Sequence, residues 1–438
     1  MNRTPVPSAV FHLAAGAALA CAVIPAHAGA AETAARRAWD FVHSVGVAAH
    51  YNCTGPVSNR DIQIRQYLLD ARIWNIRTDW RSAGPGTAVI KYLGDAGIRF
   101  AFTIKAANAT DVRNPAAGVA RQLGEIKSND CVKYARYITG TNEPDIASEY
   151  QSSVGAAWPT YVKHWQDEVW NQVNGDAAFN GIPVVGPNQG NLWSADKRTL
   201  WKTVSGWDTP CDLADFHPYW NGRPMEAQMN TWFGQLGEIW PAKAAAMQVI
   251  ATEMGYHYAS GVDGFISEAG GAVYYLRAWL EMFRLGVPAS YMYMLENLLV
   301  PDPNNREHNW GMFRYDGTPR PVYTALKNLN TIIDDPDGES ITPGTLDCSF
   351  SAQPADLSRL LLMKSDGTFI LALRRRVAPL RVCRCRPALT GFSRLRAGWP
   401  PRRRPMPRCW WRRRPGSREA ASPALTGSGR ATGIATGR

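Results

Sequence analysis

No stretch of the chain beyond residue 29 approaches the roughly eighteen consecutive apolar residues that a membrane-spanning helix needs. There is no GxGxxG after the first expected strand, no Walker motif, no HExxH and no nucleophile elbow around a serine. Nucleotide-binding, zinc-protease and serine-hydrolase readings therefore have no motif to stand on. None of the eight cysteines forms a CxxC pair at zinc-like spacing, so no structural zinc site is expected, and with the nucleotide motifs absent no cofactor is expected. Lysine is absent from residues 374–438, and acid is absent there apart from Glu419. That segment nevertheless holds eighteen arginines and a net charge of +17, against +11 for the whole chain, which leaves residues 1–373 at −6. A mildly acidic body lacks the basic footprint of a nucleic-acid-binding domain, and no nucleic-acid partner is expected.

What is present begins with an export-like segment. Arg3 precedes a mostly small and apolar run over residues 9–24, and Ala26-His27-Ala28 has the form of a cleavage site. Residues 1–29 read as a signal peptide, and the mature protein is expected to be secreted or periplasmic, without stable membrane insertion, and a monomer. Cys53, Cys131, Cys211 and Cys348 lie in the body, where an oxidising compartment permits disulfides whose pairing the spacing leaves open.

From residue 30 onward one rhythm repeats: an apolar strand, a polar end, a helical segment, a glycine and another strand. Strands are expected over 41–47, 72–77, 98–104, 137–141, 182–187, 213–217, 248–252 and 287–295. Helices are expected over 31–38, 61–70, 88–96, 116–127, 159–174, 199–204, 225–243, 272–283 and 320–332. Eight strands, each followed by helical material, are the count of an α/β (β/α)8 TIM barrel over residues 30–335, although a doubly wound open sheet satisfies the same spacing. Residues 336–373 read as a linker and the start of a small β domain, with Ser365-Asp366-Gly367-Thr368 as its hairpin turn. The strand-like run stops at Leu373. Residues 374–438 show no helical or strand periodicity. They read as a disordered Arg/Pro-rich tail, as a basic arm for anionic polymers, or as the product of a shifted reading frame that truncates the β domain.

The fourth strand ends in Gly140-Thr141-Asn142-Glu143-Pro144-Asp145, and the seventh in Thr252-Glu253-Met254-Gly255. In a closed barrel these strand ends share one mouth, so Glu143 and Glu253 can meet although 110 positions separate them. Two carboxyl groups about 5–5.5 Å apart form the working pair of a retaining glycosidase. The Asn-Glu-Pro at strand four, the glutamate at strand seven and the His217-Pro218-Tyr219 strand end resemble the clan A glycoside hydrolases. They are most similar to glycoside hydrolase family 39 and its neighbours. The resemblance spans about residues 40–373. It implies a retaining O-glycoside hydrolase with Glu143 as acid/base, Glu253 as nucleophile, Asn142 on the sugar 2-hydroxyl and Arg77 bonded to the nucleophile, and it implies no metal.

Other strand-end residues are candidates for substrate binding: His50, His217, Tyr219, Trp80, Trp220, Tyr256 and Trp310, with Glu296 as a rival carboxylate. Seventeen tryptophans in an exported α/β chain suggest stacking against sugar faces of a polysaccharide or oligosaccharide. Two other readings share these residues: a noncatalytic carbohydrate-binding or structural barrel, and a transglycosylase.

Overall fold

Where the sequence places its β-branched and aromatic runs, eight parallel strands form. The computed structural model describes residues 33–51, 61–80, 86–146, 149–346, 357–375 and 381–385. The strands are β1 (Val45–Ala48), β2 (Asn75–Asp79), β3 (Arg99–Thr103), β4 (Ala135–Thr139), β5 (Val184–Val185), β6 (Ala214–Asp215), β7 (Val249–Met254) and β8 (Ser290–Met292). Their order is β5-β4-β3-β2-β1-β8-β7-β6. A bridge between Val185 and Leu213, with Gly186 N donating to Leu213 O at 2.9 Å, joins the two ends of the sheet. The result is a nearly closed barrel.

Each strand is followed by a helix: α1 (Asp61–Asp70), α2 (Gly86–Gly94), α3 (Pro115–Ser128), α4 (Trp158–Gly175), α5 (Ala195–Trp201), α6 (Met229–Gly237), α7 (Glu268–Leu285) and α8 (Pro321–Ile333). Local chemistry sets their starts. Pro115 and Pro321 occupy first-turn positions, where the missing N–H costs no helix bond, and the Ser194 and Ser267 hydroxyls accept from Lys197 N and Gly270 N. Helices cover the outside of the barrel, so β1, β2 and β7 are buried along their whole length. β1 and the start of β7 accordingly read as apolar runs, whereas β2 carries Asn75, Arg77 and Asp79 into the barrel.

Inside the barrel, Ala101, Tyr137, Val185, Ile250, Ala289 and Tyr291 fill one layer. Gly46 on β1 faces the Tyr291 ring so closely that an added Cβ would lie 2.4 Å from Cδ1. Gly46→Ala should therefore destabilise the fold by about 1–3 kcal/mol, read as a lower urea midpoint. An unchanged midpoint would mean that the ring yields at no cost.

Several expected boundaries shift. Residues 31–38 were expected to be helical, but they contain the short strands Thr33–Ala34 and Arg36–Arg37, and the helix comes next, at Ala38–Val42. The strand expected over 41–47 accordingly begins only at Val45. Ala38, Phe41 and Val42 have helical spacing, and Phe41 meets Phe283 of α7 edge-on at 5.5 Å between ring centroids. The helical segment expected over 225–243, with a break expected around Gly234 or Gly237, is three pieces, a 3-10 turn at Met225–Ala227, then α6, which ends at Gly237, then Pro241–Ala245. The break after Gly237 precedes Pro241, which cannot continue a helix from within.

Beyond the barrel, β9 (Leu357–Met363) and β10 (Phe369–Arg375) form an antiparallel hairpin, with Gly367 at φ +75° in the expected turn. β10 runs past Leu373 and pairs with β11 (Arg381–Cys385), where no strand was expected; Leu371 lies opposite Cys383. Arg36–Arg37 pairs in parallel with β9, and Thr33–Ala34 pairs with Thr345–Leu346. Arg374 is buried between Glu226 and Glu281 of α7, with Nη2 2.6 Å from Glu281 Oε2. Cys131 and Cys211 are buried free thiols. Cys53, Cys348, the signal-like residues 1–29 and residues 386–438 lie outside the described residues. No described helix is long and apolar enough to cross a membrane.

Candidate active site

The C-terminal ends of β2, β4, β6 and β7 converge on one polar cluster above the apolar layer. Side chains alternate along a strand, so residues two apart share a face. On β2 this brings Asn75, Arg77 and Asp79 to one side; on β6 and its continuation it aligns Asp215, His217 and Tyr219. β7 breaks the alternation. Its register against β8 shifts between Ala251 and Met254, which oppose Ser290 and Met292, and within this irregularity consecutive Thr252 and Glu253 both reach the cluster.

Glu253 is 4 % exposed, and donors occupy both of its oxygens. Arg77 Nη1 donates to Oε1 at 2.5 Å and the Tyr219 hydroxyl donates to Oε2 at 2.5 Å. Burial alone would raise the pKa of this carboxyl, but His217, Arg77 and the Tyr219 bond outweigh it and hold Glu253 below the usual glutamate value. Burial, with Glu253 nearby, pushes Tyr219 well above its ordinary value, so it remains a donor. Arg77 also donates to Asn142 Oδ1, tying the residue before Glu143 to the same guanidinium.

Glu143 stands opposite, with its side chain 23 % exposed. Its φ is +42°, in the left-handed region, and its N–H donates to Asn188 Oδ1 at 2.8 Å. Gly190, in the loop after β5, comes so near that an added Cβ would lie 2.9 Å from Glu143 Cβ and 2.2 Å from Ile146 Cδ1. Buried Asp145 accepts from Gly190 N at 2.8 Å and Asn191 N at 3.0 Å, fastening that loop beside Glu143.

His217 lies between the two glutamates, its Nδ1 2.8 Å from Glu143 Oε1 and 3.5 Å from Glu253 Oε2. Burial would lower its pKa, but Glu253, Glu143 and Asp215 together raise it above the ordinary value. One atom each of Glu143, His217 and Glu253 lies within 4.8 Å of the others. That spacing would also suit a cation. Here, however, Arg77 and Tyr219 already occupy both Glu253 oxygens, and a second positive charge would sit against the guanidinium. The arrangement is a carboxylate pair flanked by cations rather than a metal cage.

Asn142, Arg77, His217 and Tyr219 therefore meet at Glu143 and Glu253. His50 and Trp310 stand one step out: His50 Nε2 is 3.3 Å from the Tyr293 hydroxyl, and Trp310 packs edge-on against Tyr219 at 5.0 Å and Tyr293 at 5.9 Å. Burial lowers the His50 pKa. Three aromatic candidates turn away. Trp80 is buried against Phe102 and donates to Glu125 of α3 at 3.1 Å, while Trp220 and Tyr256 are buried on each other at 5.1 Å. Each falls on the face of its strand opposite Arg77, Tyr219 or Glu253, the face toward the helices. Glu296 is buried beside His50, Leu295 and Leu298; it is not among the three converging groups. Sequence reasoning missed Asn188, Asp215, Thr252 and Tyr293. Asp215 was the most accessible of these, lying two residues before His217 on the same face.

No protein-family model and no curated protein matches the chain. Among solved structures, the chain is similar to a family 39 glycoside hydrolase from the gut symbiont Bacteroides cellulosilyticus WH2, with 17% sequence identity and a TM-score of 0.51 over 78% of this chain and 71% of that one. It also aligns with a β-glucuronidase from Ruminococcus gnavus in complex with D-glucuronic acid, at 14% identity and a TM-score of 0.44, over 65% of this chain and 49% of that one. The first likeness is one of fold. It shows a shared barrel fold, and the Glu143–His217–Glu253 cluster at the mouth is consistent with a two-carboxylate arrangement.

Proposed function

We propose that the protein is a retaining O-glycoside hydrolase that cleaves a polysaccharide or oligosaccharide by double displacement. The observation that carries this reading is the approach of Glu143 and Glu253, within 4.8 Å at their nearest ligand atoms, from opposite sides of one barrel mouth. Glu253, kept ionised by Arg77 and Tyr219, attacks the anomeric carbon while Glu143 protonates the departing glycosidic oxygen. Esterification removes the Glu253 charge. Glu143, now a carboxylate, takes a proton from the incoming water, which breaks the ester and restores both groups. Arg77 fixes the Asn142 amide by its oxygen, so the NH₂ end is the one that can donate to a sugar hydroxyl. Exposed Ile146 and Trp193, in the loops after β4 and β5, support a substrate extending beyond one sugar. The export-like start of the sequence supports action outside the cytoplasm.

The test is a screen of aryl glycosides and polysaccharides, with NMR of the first-formed product. Retained anomeric configuration is expected. Inverted product would overturn double displacement, and saccharide binding without cleavage would favour a noncatalytic barrel.

The electrostatics predict a bell-shaped dependence of kcat/KM on pH. Glu253 must be ionised and its pKa is lowered, so the acid limb should fall below the ordinary glutamate value of 4.5. The His217 proton is held above the ordinary value of 6.5, so activity should be lost only as pH rises past that point. A basic limb below 6.5 would contradict the placement of His217 between the two carboxylates.

A further inference from the structure

Behind His217, on the side away from the carboxylate pair, lies a closed run of hydrogen bonds that double displacement does not itself require. His217 Nε2 is 3.0 Å from Thr252 Oγ1, which is 2.6 Å from Asp215 Oδ2. Thr252 N donates to Asp215 Oδ1 at 3.0 Å, and Asn188 Nδ2 donates to Oδ2 at 3.2 Å. Asn188 then accepts from Glu143 N, returning the run to the residue where it matters. Asp215, Thr252, Asn188 and His217 are all essentially inaccessible to solvent.

The direction of these bonds follows from counting hydrogens. A threonine hydroxyl has one, and an ionised carboxylate has none. The His217 ring is flanked by Glu143 from β4 and Glu253 from β7, with Asp215 on its own strand and Arg77 across the mouth on β2. Two carboxylates at Nδ1 favour the imidazolium, which bears hydrogen on both nitrogens. Its Nε2–H must then donate to Thr252, and the Thr252 hydrogen must go to Asp215.

We propose that His217 stores the proton that Glu143 delivers, and that Asp215, acting through Thr252, pins the other ring hydrogen on Nε2 so that only the Nδ1 proton is mobile. This rests on the glycosidase reading of the site. The proton passes from Nδ1 to Glu143 Oε1 and the N–H electron pair stays on nitrogen. Imidazolium and carboxylate become imidazole and carboxylic acid, with no change in total charge. Glu143 then protonates the glycosidic oxygen as its bond to the anomeric carbon breaks. In the second half, the proton taken from water returns through Glu143 to Nδ1. Asp215 and Thr252 are positioning residues. Burial pushes the Asp215 carboxyl up, against the pull of His217 and Thr252. Were Asp215 to hold a proton, the whole run would reverse and Thr252 would donate to Nε2.

Neutron diffraction from deuterium-exchanged crystals of the wild-type protein near neutral pH reads these positions directly. Deuterium is expected on both His217 nitrogens, with the Thr252 deuterium directed at a bare Asp215; deuterium on Asp215 or a bare Nε2 would overturn the proposal. That map does not depend on cleavage. The expected map with no glycoside turned over would sink the enzymatic reading alone, and cleavage with the reversed map would sink only the relay. In solution, Thr252→Val should lower kcat about 10- to 100-fold on unactivated glycosides and move the basic limb down, whereas Thr252→Ser should preserve both. Equal losses in the two variants, or an unmoved limb, would reject the proposed role.

Discussion

Glu253→Gln should lower turnover of an aryl glycoside by roughly 10⁴- to 10⁶-fold, the scale of losing a covalent nucleophile. The amide keeps the volume of the carboxylate and its one oxygen can still accept from Arg77, while its NH₂ end can only donate, so the Tyr219 hydroxyl must turn to accept; the amide cannot form the ester. Removing one partner of a buried ion pair costs about 3–5 kcal/mol when the remaining charge is left alone. Here Asp79, Asp215 and Glu143 also act on Arg77, so a lowered but cooperative melting transition is expected. In Glu253→Ala, added azide should enter from the vacated face and give a glycosyl azide of inverted configuration. Full activity in the purified Gln variant would remove Glu253 from the mechanism.

Glu143→Gln should separate substrates by leaving group. A general acid contributes about 10²- to 10⁴-fold, and that amount should be lost on alkyl glycosides and oligosaccharides, whose leaving oxygen needs a proton. Dinitrophenyl glycosides need none and should still glycosylate Glu253. The missing base then slows hydrolysis of the ester, so the intermediate should accumulate, with a rapid burst followed by slow turnover and a low KM. Equal losses on both substrate types would argue that Glu143 acts only through structure.

Much of this arrangement could be read from strand ends. The eight-strand count placed Glu143 and Glu253 on one mouth, strand-end position nominated Arg77, His217 and Tyr219, and period two is what turns those three inward together. The same periodicity explains the misplaced aromatics. Trp80 is three residues from Arg77, Trp220 is one from Tyr219 and Tyr256 is three from Glu253; odd spacings point outward to the helices. Their aromatic character looked like sugar binding, but it serves the layer between sheet and helices. Thr252 was hidden for the opposite reason. An unbroken strand would have set it on the other side from Glu253, and only the register shift against β8 brings both inward. Asn188 lies in a loop with no periodicity at all. Its role depends on where Glu143 N–H points, which is a matter of backbone conformation. The β11 pairing escaped notice because arginines interrupt the apolar alternation of its sequence.

That backbone conformation has a cost of its own. At φ +42°, Glu143 occupies a region that a residue with a Cβ enters at a penalty of about 1–2 kcal/mol, against which glycine's greater freedom when unfolded weighs about 0.5–1. Glu143→Gly should consequently yield a protein that no longer cleaves unactivated glycosides and whose melting temperature equals or slightly exceeds that of the parent, a gain of up to about 1 kcal/mol. A clear fall in melting temperature would show that the side chain's bond to His217 outweighs the strain. On the expected result, with the melting temperature unchanged or raised, selection for foldability alone would favour discarding the carboxylate, and its presence marks a position where the chain has accepted a weaker fold in exchange for chemistry.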